Sequence, residues 1–225
     1  MSASTLLRKL ALTTVAGLVA VGLVLAGEPR PPAVVIRICS GCHGMDGRPQ
    51  LSYVPVLAGQ NPKYIEGKLQ KFRQATSPPV DEALKPLIHF SRSRSNGAIT
   101  AAAATQMIGI AKSLSDSDSK AAAAWYSAQT PLPAKSKKGS AFQQGQDLYA
   151  HGRPTQNLPA CQICHGPEGQ GTAAAPRLAG QQREYVLAQL NEFRSGAEGQ
   201  SPMTQIARSL DKNQMQAIAE YLHSR

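Results

Sequence analysis

Two copies of one pattern decide the fold of this chain: Cys39-Ser40-Gly41-Cys42-His43 and Cys161-Gln162-Ile163-Cys164-His165. Residues three apart lie on one face of a helix, so both sulfurs of a copy can reach one edge of a flat molecule. The histidine that follows points its ring at the centre of that molecule. This spacing is the attachment signature of a c-type haem. The sequence therefore predicts two covalent haem c groups, held by Cys39, Cys42, Cys161 and Cys164, with His43 and His165 on the irons.

Other chemistries also use closely spaced cysteines. A zinc ion needs four ligands in a tetrahedron, and three nearly consecutive side chains cannot close one without strain. A thioredoxin-like dithiol is expected beside a strand–helix–strand unit, and strand-like alternation is missing over useful lengths of the sequence. Two disulfides would suit an exported chain with four cysteines, but they would leave the repeated spacing unexplained. Haem attachment is therefore the preferred interpretation.

The two motifs lie inside a longer internal repeat, which indicates two domains of one fold. Each motif is followed by the pattern Pro-x-Leu-Ala-Gly-Gln, at 55–60 and at 176–181. Further pairs follow in the same order: Tyr64 and Tyr185, Phe72 and Phe193, Met107 and Met203, Leu114 and Leu210, Trp125 and Tyr221. The first half carries about 25 additional residues between its phenylalanine and its methionine.

The predicted secondary structure is helix and loop, so the fold class is all-α. Asn61-Pro62 has the pattern of a helix start, an N-cap followed by proline at the first helical position. Apolar residues at helical spacing also predict helices near 118–127, 140–151 and 212–223. A segment rich in proline and lysine, 131–139, is typical of an exposed linker. The predicted domains are therefore 27–130 and 140–225.

Residues 1–26 have the pattern of a secretory signal peptide. Arg8 and Lys9 precede a mostly apolar run that ends at Leu25, and Val24-Leu25-Ala26 resembles a cleavage site. The run is short for a membrane span, which needs about 20 apolar residues, and an uncleaved anchor is the alternative. The protein is therefore expected in the periplasm.

The net charge of +10 suits nucleic acid, anionic lipid or an acidic protein as partner. Export argues against nucleic acid. The basic residues are also spread along the chain. Their densest cluster is Lys135, Lys137 and Lys138, and no aromatic residues interleave with it. Redox proteins with acidic docking patches are therefore the favoured partners.

The second axial ligand of each iron must come from elsewhere in the chain. Histidine, methionine or a vacant position are the options. Three of the five methionines lie in unsuitable places, in the signal peptide, beside a proximal histidine and in the core of the last helix: Met1, Met45 and Met215. Met107 and Met203 remain. Because the repeat superimposes them, we predict that both ligate iron.

The two halves resemble the diheme cytochrome c4 family, in which two class I cytochrome c domains follow one another. The resemblance rests on the paired motifs, the paired Pro-x-Leu-Ala-Gly-Gln patterns and the paired methionines, and it covers nearly the whole mature chain. It implies the ligand pairs His43 with Met107 and His165 with Met203. It also implies that the carbonyl oxygens of Pro55 and Pro176 accept hydrogen bonds from the two histidine rings.

The same resemblance predicts helix packing in the second half. Gly145 and Tyr149 match a pair on the first helix that packs against Ile218 and Tyr221 of the last helix, where glycine permits a close approach. Residues 31–38 of the first half lack this pair. The opening helix of the first half is therefore expected to be short.

The ligand set predicts electron transfer. Two six-coordinate irons leave no position for a substrate, and His/Met ligation favours a high potential. The leading hypothesis is a periplasmic electron carrier, not an enzyme, that serves a high-potential acceptor such as a terminal oxidase. The alternative is a haem-bearing subunit of an exported dehydrogenase complex, in association with membrane complexes. Peroxidase chemistry would need an open iron and distal acid–base groups, and the sequence offers no such constellation.

The additional segment of the first half, 73–106, is expected to contact a partner or the other domain. The second half closes its pocket without such a segment, so iron ligation from it is not required. The alternative is a patch over the shortened opening helix. His89 lies within the segment and is expected at the surface, with iron ligation as the minor alternative.

Overall fold

The computed structural model describes residues 29–76, 96–132, 139–197 and 199–225. Pro31–Arg225 form one compact unit that contains both halves of the repeat. The predictions for the signal peptide, for His89 with most of the additional segment, and for 133–138 of the linker fall outside the described residues.

Helices build the first half. A π-helical turn, Val35–Cys39, runs directly into the short helix α1, Ser40–His43. The longer helices follow: α2, Pro62–Gln74; α3, Asn96–Ser113; and α4, Asp116–Ser127. The Asn61 side chain accepts hydrogen bonds from the N–H groups of Lys63 and Tyr64, which confirms the predicted start of α2. The opening helix is short, as expected.

The second half has the same order with a longer opening helix. Its helices are α5, Ser140–His151; α6, Gln162–His165; α7, Arg183–Ser195; α8, Pro202–Ser209; and α9, Lys212–His223, with a 3-10 turn at Pro154–Gln156. Within the described ranges no strand forms, and an isolated bridge joins Arg153 to Leu158. The fold class is therefore all-α, as predicted.

Each half has its own apolar core, and the two cores use equivalent positions of the repeat. Helices α2, α3 and α4 surround the first core, and helices α5, α7, α8 and α9 surround the second. The buried equivalent pairs are Ile65 and Val186, Leu69 and Leu190, Ala111 and Ala207, and Leu114 and Leu210. The sequence repeat is therefore a repeat of core packing.

The opening and closing helices of the second half cross at Gly145. A Cβ atom there would overlap the backbone carbonyl of Ala217 and would lie 2.8 Å from the Cβ of Tyr221. One turn along, the rings of Tyr149 and Tyr221 pack with centroids 5.3 Å apart. The close approach predicted for Gly145 is confirmed, because only a residue without a side chain fits there.

The start of the expected linker packs against both halves. Pro131 and Leu132 are half-buried. Pro131 covers Gly59, and Leu132 lies beside Gly180, the equivalent glycine of the other half. This part of the linker therefore lies between the two repeated loops and is not fully exposed.

Candidate functional site

The first motif lies where the π-helical turn meets α1. His43 is buried, and its Nδ1 lies 3.1 Å from the carbonyl oxygen of Pro55. A carbonyl oxygen only accepts, so Nδ1 carries the hydrogen. The other ring nitrogen, Nε2, keeps its lone pair for a metal.

The second motif has the same geometry. His165, at the end of α6, is equally buried, and its Nδ1 lies 2.9 Å from the carbonyl oxygen of Pro176. Both predicted hydrogen bonds to proline carbonyls are thus confirmed. Such a bond fixes the orientation of a ligating imidazole and raises its basicity toward the metal.

Burial also sets the protonation of both rings. Desolvation lowers the pKa of His43 and of His165, and the hydrogen bonds to Pro55 and Pro176 only partly oppose this effect. Both imidazoles are therefore neutral at neutral pH. Neutral imidazole is the form that binds a metal ion.

The cysteines do not have the properties of a redox dithiol. All four are unpaired. Burial raises the pKa of the Cys39 thiol to about 11, with a further contribution from Asp118, and burial raises that of Cys161 to about 11. A nucleophilic dithiol cysteine has a lowered pKa instead. Among the described residues, no three His, Cys, Asp or Glu side chains converge on a metal site.

An apolar cavity lies beside His43. Both cysteines of the first motif line it, together with aliphatic side chains from α2, from α3 and from the residue after α3: Ile65, Leu69, Ile110 and Leu114. An apolar wall, two sulfurs and a neutral imidazole together fit a covalently attached haem.

The two predicted methionine ligands lie on equivalent helices. Met107 on α3 and Met203 on α8 are half-buried, and each packs against the core of its own half. Cys39 packs against the same core as Met107, and Cys161 against the same core as Met203. Met107 does not line the cavity beside His43. Ligation by either methionine stays a prediction, whereas Met215 is buried in the second core, as expected.

Two tyrosines hold the loops after the histidines, a role that the sequence analysis did not predict. The hydroxyl of Tyr126 donates to the carbonyl oxygen of Gly44 at 3.0 Å, and that of Tyr149 donates to Gly166 at 2.6 Å. Both glycines have positive φ with extended ψ, a conformation open almost only to glycine. Each histidine is therefore followed by a turn that a buried hydroxyl fixes in place.

Known proteins share this arrangement. The cytochrome c family model matches residues 142–225. Cytochrome c-552 of Acidithiobacillus ferridurans is 33% identical over 216 residues, 95% of this chain and 84% of that protein. Cytochrome c4 of Azotobacter vinelandii is 31% identical over 203 residues, 88% of this chain and 89% of that protein. The chain belongs to the cytochrome c4 family.

A solved structure extends the likeness to the fold. Reduced recombinant cytochrome c4 from Pseudomonas stutzeri matches with a TM-score of 0.68 at 29% identity, over 84% of this chain and 94% of that chain. The cytochrome thus consists of two cytochrome c domains, as predicted.

A further relative comes from Thiomonas intermedia and is named "Thiosulfate dehydrogenase electron acceptor". It is 30% identical over 192 residues, 82% of this chain and 76% of that protein.

This cytochrome is a c-type haem protein that transfers electrons to and from redox partners and is not an enzyme. The predicted family, fold and general function are therefore confirmed. In the part of the chain that the structure describes, no helix is long and apolar enough to cross a membrane.

Proposed function

We propose that this cytochrome carries two covalent haem c groups, one on Cys39 and Cys42 and the other on Cys161 and Cys164. The observation that carries the proposal is the paired histidine geometry. His43 and His165 are both buried, both neutral, and both bonded through Nδ1 to a proline carbonyl. In a protein with a single haem, this geometry would be expected at one motif and not at both.

We propose further that Met107 and Met203 complete the two iron sites. Their equivalence in the repeat supports this assignment, as does the packing of each against the core of its own half. When bound, each haem iron supplies a one-electron redox couple. A thioether ligand in addition to the imidazole would favour a high potential. The aliphatic lining beside His43 excludes water, which also sets the potential of an iron there.

The proposed role is that of a periplasmic electron carrier to a high-potential acceptor, such as a terminal oxidase. Removal of residues 1–26 by cleavage and domains at 27–130 and 140–225 belong to this proposal. The net charge of +10 supports acidic docking patches on the partners. An association rate that falls steeply as salt is added is the expected kinetic consequence.

A second role, the electron-transfer subunit of an exported dehydrogenase, has its own support. One relative along most of the chain is named for accepting electrons from thiosulfate dehydrogenase. The two roles differ in how the protein occurs in the cell. A carrier exchanges between partners, whereas a subunit remains bound to its enzyme.

Isolation of the native protein from the periplasm separates the two roles. The carrier role predicts that the cytochrome elutes alone and that its reduced form is oxidised by solubilised membranes containing terminal oxidase. Elution in a stable complex with a dehydrogenase, with no oxidation by the membranes, would reject the carrier role in favour of the subunit role.

A further inference from the structure

Two buried glutamines cross between the halves. Gln60 and Gln181 end the two Pro-x-Leu-Ala-Gly-Gln patterns, and only 4% and 5% of their surfaces are exposed. Within its own half, the side chain of Gln181 accepts from the N–H of Gln182, and the Gln60 side chain accepts from the N–H of Asn61 in the same way. The other bonds of the Gln181 side chain cross to the first half. Its Oε1 accepts from the N–H of Val56 at 2.8 Å, and its Nε2 donates to the carbonyl oxygen of Val56 at 3.1 Å.

Gln60 makes the equivalent pair of hydrogen bonds from the first half to the second. Its Oε1 accepts from the N–H of Arg177 at 2.8 Å, and its Nε2 donates to the carbonyl oxygen of Arg177 at 2.9 Å. Val56 and Arg177 are equivalent in the repeat. The exchange is therefore reciprocal, and each half contributes one amide to the backbone of the other.

The bonded backbone is the one that holds the histidines. The peptide group between Pro55 and Val56 offers its carbonyl oxygen to His43 and its N–H to Gln181. The peptide group between Pro176 and Arg177 offers its carbonyl oxygen to His165 and its N–H to Gln60. Each histidine is thus connected through one peptide group to a glutamine of the opposite half.

We propose that Gln60 and Gln181 are positioning residues that adjust the iron ligand of the opposite half, so that each half sets part of the other's redox potential. This inference rests on the proposed haem ligation by His43 and His165. It makes the contact between the halves a component of both sites and not only a means of holding them together.

The physical basis is polarisation along a chain of hydrogen bonds. An acceptor on the N–H of a peptide group increases the negative charge on its carbonyl oxygen and strengthens the bond that the oxygen accepts, by roughly 10–30% per bond. A stronger acceptor on Nδ1 makes the imidazole more basic toward the metal. A more basic ligand favours ferric iron and lowers the potential. Removal of the glutamine should therefore raise it.

The test exploits the crossed connection. In the full-length protein with haem attached, Gln181→Leu removes the acceptor from Val56 N–H and should raise the potential of the haem on Cys39 and Cys42. The potential of the haem on Cys161 and Cys164 should change far less. Gln60→Leu should give the opposite assignment. Redox titration with spectra resolved for each haem measures both.

Nuclear magnetic resonance of the reduced protein gives an independent readout. With ¹⁵N-labelled histidine, the Nδ1–H proton of His43 should move upfield in Gln181→Leu because its hydrogen bond weakens. The corresponding proton of His165 should stay in place. Gln181→Glu keeps an oxygen acceptor for Val56 N–H and should restore the His43 signal and the potential to wild-type values or beyond them.

Gln182→Leu is the matched control. The Gln182 side chain also reaches the other half, with Nε2 3.4 Å from the carbonyl oxygen of Pro49, but it touches neither peptide group that binds a histidine. It should leave both potentials unchanged. The proposal is overturned if Gln181→Leu shifts the haem of its own half, shifts both haems equally, or acts no differently from Gln182→Leu. Failure of the carrier role would look different, since both haems would titrate normally but exchange no electrons with partners.

Discussion

The two halves of the molecule fix the turn after the histidine by different means. In the second half the hydroxyl comes from Tyr149 on the opening helix α5, and in the first half it comes from Tyr126 on the closing helix α4. Tyr126 occupies the place of Leu222 in the repeat, since the backbone carbonyls of both accept from equivalent glycines, Gly59 and Gly180. In the described residues of the first half, which begin at 29, a π-helical turn precedes the motif in place of a longer helix, and the closing helix supplies the hydroxyl.

The hydrogen bonds around the histidine are the same in both halves, whereas the helix that supplies the tyrosine differs. In both halves the histidine binds a proline carbonyl, and the carbonyl of the following glycine accepts a hydrogen bond from a tyrosine hydroxyl. The helix that carries the tyrosine is free to change. A buried carbonyl without a partner costs about 1–3 kcal/mol, which explains why loss of one donor is matched by gain of another.

The largest effect is expected from loss of an iron ligand. Met203→Ala should abolish the weak far-red charge-transfer band of one ferric haem and lower the potential of that haem, and Met107→Ala should do the same to the other. Optical spectra and redox titration measure both changes. Met215→Leu, in the buried core, should preserve both bands. If His89→Ala changes the first haem and Met107→Ala does not, the ligand assignment in the first half is wrong.

Gly145→Ala should lower the stability of the second half and leave that of the first half unchanged. The new Cβ would overlap the backbone of Ala217, and overpacking of this kind costs about 3 kcal/mol when neither helix can retreat. Denaturant unfolding followed at each haem measures the effect. Gly67→Ala on α2 is the control, because a Cβ there meets nothing within 4 Å and a helical glycine costs about 0.5–1 kcal/mol relative to alanine. Equal losses in both variants would contradict this account of α5.

The tyrosine pair should give smaller and unequal effects. Tyr149→Phe removes a 2.6 Å bond between buried groups and should lower the free energy of unfolding by about 2 kcal/mol. Tyr126→Phe removes a longer bond in a partly buried place and should cost about 1 kcal/mol. Guanidinium unfolding measures both. If neither differs from wild type, the hydroxyls do not hold the turns.

The smallest effect concerns an ion pair that only the first half has among the described residues. Arg73 Nη1 lies 2.6 Å from Asp116, and this hydrogen bond and charge lower the pKa of that carboxyl below its usual value. A lowered pKa stabilises the fold above the usual carboxyl range, and the contribution is lost as pH falls through the folded pKa. Asp116→Asn should therefore be slightly less stable than wild type at neutral pH and equal to it in strong acid.

Thermal unfolding at several pH values measures this small difference. Arg194 occupies the place of Arg73 in the second half, where Arg208 donates to its backbone carbonyl. Arg194→Gln should therefore leave the pH dependence unchanged. A stability difference between Asp116→Asn and wild type that grows as pH falls would contradict the assignment.

Local sequence patterns predicted a large part of the structure. Asn61-Pro62 marked the start of α2, and the repeat marked the equivalent helices and core positions. Partners that lie far apart in the chain were harder. The glutamines stood in the sequence as the last residue of a repeated pattern, but a repeat shows equivalence and not which surfaces face each other. The role of Tyr126 was missed because its equivalent in the repeat is Leu222, which has no hydroxyl.

The number of covalent haems tests the central claim most directly. Intact mass spectrometry of the mature protein, purified from the periplasm, should show the chain without residues 1–26 plus two haem c groups. The double variant Cys39→Ala/Cys42→Ala should lose one haem, and Cys161→Ala/Cys164→Ala should lose the other. A wild-type protein with one haem or none would contradict the account.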